Sequence, residues 1–171
     1  MKLVSLPTTL PTLNSKNLIL RSLYEHDIDC IFSIYGDLEV MRYASDDVFP
    51  TSDIVLKMLD SIRALLRSGT SLEWGIQRKN NTGIIGVCGV YKLNHHAQTV
   101  QVGCLLAKSE WGKTVMQEAL SCVIDYCYTS LGIHQFEASI DEPNIRSIRL
   151  FERLGFVREE ENSYILNLGP V

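Results

Sequence analysis

The segment Ala107-Lys108-Ser109-Glu110-Trp111-Gly112-Lys113-Thr114 joins a strand-like run, Thr99 to Leu106, to a long helical pattern ending at Leu131. The start of a helix exposes backbone N–H groups that have no intrahelical acceptor, together with the positive end of the helix dipole. Such a terminus binds phosphate, and small residues let the backbone approach the anion closely. Lys113 adds a positive charge. The segment is a candidate cradle for a phosphate or pyrophosphate. The competing reading is an ordinary strand-to-helix turn with an exposed lysine.

Other reactive residues divide by their setting. Gly112-Lys113-Thr114 matches the end of the P-loop pattern G-x-x-x-x-G-K-S/T, but Ala107 stands at its first glycine and no Walker-B strand ending in aspartate follows. Cys88 in Gly86-Val87-Cys88-Gly89-Val90 lacks the glycine that a nucleophile elbow requires at position 90. A buried structural thiol fits a strand better. His95, His96 and Cys104 lack metal-ligand spacing, so no metal is expected. His95 and His96 are of the residue type that can act as a base but sit in a polar loop. Glu73, beside Trp74, is either a solvated strand-edge charge or a proton acceptor.

These groups must be positioned by regular elements. Asn17 to Leu23 has strand character, and Ile28, Ile31, Phe32 and Tyr35 are spaced as a short amphipathic helix within Glu25 to Tyr35. Thr51-Ser52-Asp53 offers caps for a helix carrying Ile54, Met58, Leu59, Ile62 and Leu66, which Gly69 ends. Strands follow at Leu72 to Arg78, Ile84 to Lys92 and Thr99 to Leu106, the first two joined by the turn cluster Lys79 to Gly83. Trp111 to Leu131 then shows a helical stripe of Val115, Ala119, Val123 and Cys127, widened by Met116, Leu120 and Ile124, and Gly132 stops it. A strand from His134 to Ile140, a helix from Pro143 to Leu154, and strands at Phe156 to Arg158 and Tyr164 to Leu168 complete the pattern. An antiparallel meander followed by alternating elements predicts an α+β (mixed α/β) fold.

The 171 residues suit one domain, residues 1–171, with a real core. The net charge of -4 disfavours non-specific nucleic-acid binding, which needs a basic footprint. Five cysteines without a CxxC pair fit a reducing compartment. Pro7 and Pro11 break the short apolar start MKLVSLPTTLPTL, a loose arm without the features of a secretory leader. No uncharged apolar run reaches membrane-spanning length. A cytoplasmic protein with no membrane partner is expected, as a monomer or homodimer.

Several runs resemble the GNAT superfamily of N-acetyltransferases. Trp111 to Leu120 (WGKTVMQEAL) is similar to the W-G-x-G-x-x-x-E-A-L stretch of the branch that acetylates ribosomal-protein N-termini. Asn144-Ile145-Arg146-Ser147 and Leu150 to Phe156 resemble N-x-x-S…L-x-x-L-G-F. Leu18 to Arg21 with Asp27, Ile84-Ile85-Gly86, Val102-Gly103 and Leu131 to Ala138 fall in the family's order, so the resemblance spans roughly residues 16 to 158.

The resemblance implies a mostly antiparallel sheet with helices on both faces, its two central strands splayed at a bulge. The pantetheine arm of acetyl-CoA would lie in that gap along Cys104, Leu105 and Leu106, with its pyrophosphate on the loop Trp111, Gly112, Lys113, Thr114, Val115 and Met116. Ser147 matches a position assigned to protonating the leaving thiolate, and Asn144 one that contacts the cofactor or fixes the adjacent strand end. The acceptor would be a primary amine, either a peptide N-terminus or a small amine, attacking without an acyl-enzyme. Its specificity is expected in Glu25 to Arg67. Two departures stand out. Thr114 replaces the loop's central glycine, and Gln101 replaces a glutamate that many relatives carry. Glu73, His95 and His96 are then the candidate bases, and a non-catalytic acyl-CoA-binding module is the alternative.

Overall fold

The computed structural model describes residues 7–169. The first six residues of the expected N-terminal arm, and both ends of the single-domain reading, lie outside the described residues. The strands are β1 (Leu13–Asn14), β2 (Leu18–Arg21), β3 (Leu72–Arg78), β4 (Ile84–Asn94), β5 (Thr99–Leu106), β6 (Gln135–Ser139), β7 (Val157–Glu160) and β8 (Ser163–Asn167). The helices are α1 (Ile28–Tyr35), α2 (Asp53–Ser68), α3 (Val115–Leu131) and α4 (Ile145–Arg153). The strands form one sheet in the order β1-β2-β3-β4-β5-β6-β8-β7. β5–β6 is the parallel pair, and the other described pairs are antiparallel. This is the mixed α/β arrangement expected, and it is incompatible with the largely parallel sheet of a P-loop enzyme.

Strand alternation sorts the side chains onto two faces. Leu72, Trp74, Ile76, Cys88, Val90, Val100 and Val102 pack against α3 and Phe151 of α4. The expected α3 stripe, Val115, Ala119, Val123 and Cys127 with Met116, Leu120 and Ile124, is buried there. On the other face Ile84 and Val87 pack against Ile31 and Ile34 of α1 and Val55 and Leu59 of α2. Each fully buried Leu or Ile of these layers contributes roughly 1.5–3 kcal/mol. Arg21 at the end of β2 forks onto both oxygens of Asp27 at 2.8 Å, and Asp27 also accepts the Tyr24 N–H at 2.9 Å. Asp27 is only 2% exposed. Removing Arg21 would strand that carboxylate at a cost of about 3–5 kcal/mol.

Several boundaries differ from the sequence reading. α3 starts at Val115 rather than Trp111, because Gly112 (φ 75°) and Thr114 (φ 58°) adopt left-handed backbone that an α-helix does not contain. α4 starts at Ile145, after Pro143 and Asn144. Glu25–Asp27 is a separate tight turn ahead of α1. β4 continues past Lys92 to Asn94, since a positive φ of 49° at Lys92 absorbs a register shift against β5. Gly69 and Gly132 end α2 and α3 in left-handed conformation, as their positions predict. Among the described residues no helix is long and apolar enough to cross a membrane.

Candidate active site

The site begins where two central strands part. β5 pairs with β6 only from Thr99–Gln101 to Gln135–Glu137, while β5 stays in register with β4 as far as Leu106. The edge of β5 beyond Gln101 therefore lacks a partner strand. The Ala107 N–H donates to Ile85 O at 2.9 Å, toward β4. Alternation then turns the backbone groups of Cys104 and Leu106 away from β4, into the gap. The expected bulge is not at this opening. The β4–β5 register shift lies between Tyr91 and Asn94, at the end where β5 still pairs with β6. The gap opens because β6 stays with β8 and leaves β5, not because β5 kinks.

The gap leads onto the loop before α3. The first backbone bond into that helix is from the Glu118 N–H to Thr114 O, at 3.1 Å. The N–H groups from Gly112 to Gln117 have no acceptor among the described residues. Free N–H groups at a helix start are the feature a candidate anion cradle requires. Glu118 is held away by Ser15 Oγ at 2.6 Å and by the Asn17 backbone and side-chain amides at 2.7 and 2.9 Å. Lys113, expected to add charge to the cradle, instead sets its ammonium 3.7 Å from Glu110, whose other oxygen takes Arg78 at 2.5 Å. Thr114 donates its hydroxyl to Lys113 O at 2.7 Å rather than presenting it to an anion. A β-branched residue in this backbone region stores about 1–3 kcal/mol of strain.

A cleft of about 640 Å³ unites these parts. Cys104, Leu105, Leu106, Trp111, Gly112, Thr114, Val115, Met116, Asn144 and Ser147 line it, whereas Lys113 and Glu73 do not. The Trp111 indole N–H donates to Leu106 O at 2.9 Å. Asn144 caps α4 by accepting the Ser147 N–H at 3.3 Å, so its role at the helix start is at least structural. Ser121 and Thr129 on α3 donate to carbonyls four residues back. The Ser147 hydroxyl makes no such bond among the described residues, and Ser147 is one of the residues lining the cleft.

The sequence reading missed Glu39, Arg42 and Tyr43, from the connection between α1 and α2, and Arg146 and Arg153 of α4. Arg146 sits inside the quoted Asn144–Ser147 run, yet only the fold brings its guanidinium over the Trp111 ring. The α1–α2 connection is pinned to the cleft rim by Lys108–Glu39 at 2.5 Å and by the Tyr43 hydroxyl on Pro143 O at 3.4 Å.

The candidate bases separate. His95 and His96 lie in the β4–β5 turn, whose backbone is closed by Asn94 Oδ1 at 3.0 and 3.1 Å. That turn is at the start of β5, roughly 20 Å along the strand from its open end. Glu73 is no solvated edge charge, since it is 9% exposed on the α1/α2 face of β3. Burial pushes its carboxyl up to about 7, opposed by the Tyr91 hydroxyl and assisted by Asp46. Burial also drives the Cys88 thiol well up and that of Cys104 to about 12, which leaves both protonated and unreactive near neutrality. No group of three metal-ligating side chains is assembled among the described residues.

Known proteins resemble this chain in sequence and in fold. The N-acetyltransferase p20 of Bacillus licheniformis, named as uncharacterized, is 30% identical over 148 residues, covering 86% of this chain and 83% of that protein. The RimJ protein of Mycobacterium smegmatis, in complex with CoA-disulfide, superposes with a TM-score of 0.80 at 17% identity, over 95% of this chain and 88% of that one. A spermidine N-acetyltransferase from Vibrio cholerae in complex with CoA and spermine superposes with a TM-score of 0.75 at 17% identity, over 88% of this chain and 93% of that one. The acetyltransferase (GNAT) domain model matches residues 17–157, from the start of β2 to β7, so the chain belongs to the GNAT family of acetyltransferases.

Proposed function

We propose that the protein transfers the acetyl group of acetyl-CoA to a primary amine. The observation that carries this reading is the continuity of the open β5 edge with the free N–H groups from Gly112 to Gln117. An extended amide-bearing arm can pair with the first, and a pyrophosphate with the second. Acetyl-CoA supplies the thioester. The chain supplies backbone N–H groups at Cys104 and Leu106, able to stabilise charge on the carbonyl oxygen. The Ser147 hydroxyl borders the same cleft and is the donor of a proton to the departing sulfur. The amine attacks directly, and no nucleophilic side chain is required.

The acceptor reaches the cleft between the α1–α2 connection and the β6–α4 turn, where Tyr43 meets Pro143. A protein N-terminal amine is the first acceptor to test and a polyamine the second. Their support is that the neighbours named above include a RimJ protein and a spermidine acetyltransferase. Free cysteines throughout the described chain fit use of acetyl-CoA in the cytoplasm. A second reading, a non-catalytic acyl-CoA-binding module, rests on Gln101 and on the strained Thr114.

A thiol-release assay with acetyl-CoA and a panel of Ser-, Ala- and Met-starting peptides, spermidine and spermine tests the proposal. Turnover of at least one amine is expected. CoA binding without turnover of any of them would favour the second reading.

A further inference from the structure

The α1–α2 connection and the β6–α4 turn meet where the Tyr43 hydroxyl donates to Pro143 O at 3.4 Å. This junction is the mouth through which the amine enters. Arg42 stands at it. Its guanidinium lies 5.4 Å from the centroid of the Tyr43 ring, a cation–π contact that ties the charge to the same side chain. Arg42 and Tyr43 both line the cleft, and Arg42 is exposed.

The charges of the cleft wall are unevenly satisfied. The wall carries Glu39, Glu110, Arg42, Arg146 and Arg153. Glu39 is engaged by Lys108 at 2.5 Å, and Glu110 by Arg78 at 2.5 Å and Lys113 at 3.7 Å. Neither Arg42 nor Arg146 nor Arg153 has a carboxylate partner among the described residues. The whole chain carries a net charge of -4, so this excess of positive charge is a local reversal. Asp46 and Asp47 on the connection and Asp141 and Glu142 on the turn lie outside the wall. The arginines differ in what they adjoin. Arg146 lies over Trp111, next to the free N–H groups ahead of α3, and Arg153 is on the same helix. Both suit the anionic acyl donor. Arg42 lies on the α1–α2 connection instead, which leaves its guanidinium for the acceptor.

We infer that Arg42 is a specificity-determining residue that receives a carboxylate of the acceptor, so that the preferred amine is a peptide N-terminus followed closely by Asp or Glu. This deepens the transferase reading and rests on it. A guanidinium presents a planar fork of N–H donors that matches a carboxylate in a bidentate arrangement. A polyamine lacks that group. Its second ammonium would meet Arg42 with both glutamates of the wall already engaged, and like charges so placed count against that acceptor. A peptide with lysine behind its first residue meets the same obstacle.

The test compares synthetic peptides that differ only in their second and third residues. They begin Ser-Glu-Glu, Ser-Gln-Gln or Ser-Lys-Lys and share one tail, with spermidine alongside and acetyl-CoA saturating. In the wild type, kcat/KM should be about tenfold higher for the glutamate peptide than for the glutamine peptide, and lowest for the lysine peptide and spermidine. Added salt should shrink the difference, because an exposed charge pair is screened. Arg42→Ala should bring the glutamate and glutamine peptides level. Arg42→Glu should put the lysine peptide ahead of the glutamate peptide. Arg42 is exposed and has no ion pair among the described residues, so both variants should melt with the wild type. The Kd for CoA, read by calorimetric titration, should be unchanged in both. A wild type that does not prefer the glutamate peptide, or an Arg42→Glu variant that keeps that preference, would overturn the inference and leave the transferase reading standing. So would a raised Kd for CoA in Arg42→Ala with the peptide order intact, which would assign Arg42 to a phosphate of the donor. A wild type that binds CoA but acetylates none of these amines overturns the transferase reading, and this role with it.

Discussion

The guanidinium of Arg146 lies 3.4 Å from the centroid of the Trp111 ring, and the same indole donates its N–H to Leu106 O at 2.9 Å. One side chain therefore joins the first turn of α4, the loop ahead of α3 and the open end of β5. Trp111→Ala removes both contacts along the cleft. It should weaken CoA binding by about tenfold, which corresponds to about 1.4 kcal/mol. Arg146 is exposed, so Arg146→Ala should cost only about 0.5–1 kcal/mol of the same binding. Arg146→Lys should fare no better than alanine, because an ammonium lacks the planar stacking surface. Calorimetric titration with CoA reads all three, and an unchanged Kd for Trp111→Ala would refute the placement of the cradle.

Thr114 holds a φ of 58° at the point where α3 begins. Glycine adopts this backbone without a Cβ clash, at some cost in unfolded-state entropy. Thr114→Gly should therefore raise the unfolding free energy by about 1 kcal/mol. It should also tighten CoA binding, since the Cβ beside the cradle disappears. Urea melts and the CoA titration check this, and a less stable glycine variant would show that the hydroxyl bond to Lys113 O outweighs the strain.

Glu73 makes stability depend on pH. Its folded-state carboxyl is near 7, against an ordinary value of 4.5, so between these values the folded protein holds the proton more tightly than the unfolded chain. Stability due to this group is present below 4.5 and is lost as pH rises through 7. The full difference is about 3 kcal/mol. Glu73→Gln should remove it. Thermal melts should find the variant more stable than the wild type at pH 8 and close to it at pH 4.5. A variant that melts below the wild type at pH 8 would show that the carboxylate is better compensated than its burial implies.

Asn144 and Ser147 share one hydrogen bond but should separate by experiment. Asn144→Ala loses the α4 cap and should cost about 1 kcal/mol of stability. The Ser147 backbone keeps its place without its hydroxyl, so Ser147→Ala should leave the unfolding free energy within about 0.5 kcal/mol of wild type. If the hydroxyl protonates the departing sulfur, kcat falls with an unchanged KM for acetyl-CoA. An unchanged kcat would assign that proton to solvent.

The α3 stripe, the glycine stops at Gly69 and Gly132, and the meander through β3, β4 and β5 were legible because each rests on local periodicity or on one residue's backbone preference. The free N–H groups ahead of α3 were legible for the same reason, since they belong to any helix start. The detail of that loop was not. Lys113 reads as a lone cation in the sequence, whereas in the fold its ammonium lies 3.7 Å from Glu110, which Arg78 of β3 also engages. Trp111 continues the helical pattern until two left-handed residues end it.

By itself the chain determined the elements, the GNAT resemblance and the loop where an anion would sit. Only the tertiary structure decided that β6 leaves β5 after Gln101, that Arg146 covers Trp111, and that a buried Glu73 shares a row with Gly89 and Gly103. The physical reason is register. A strand's pattern states which residues share a face, but pairing with its neighbours decides which residues stand side by side. The row from Glu73 through Gly89 to Gly103 exists only once three strands have aligned.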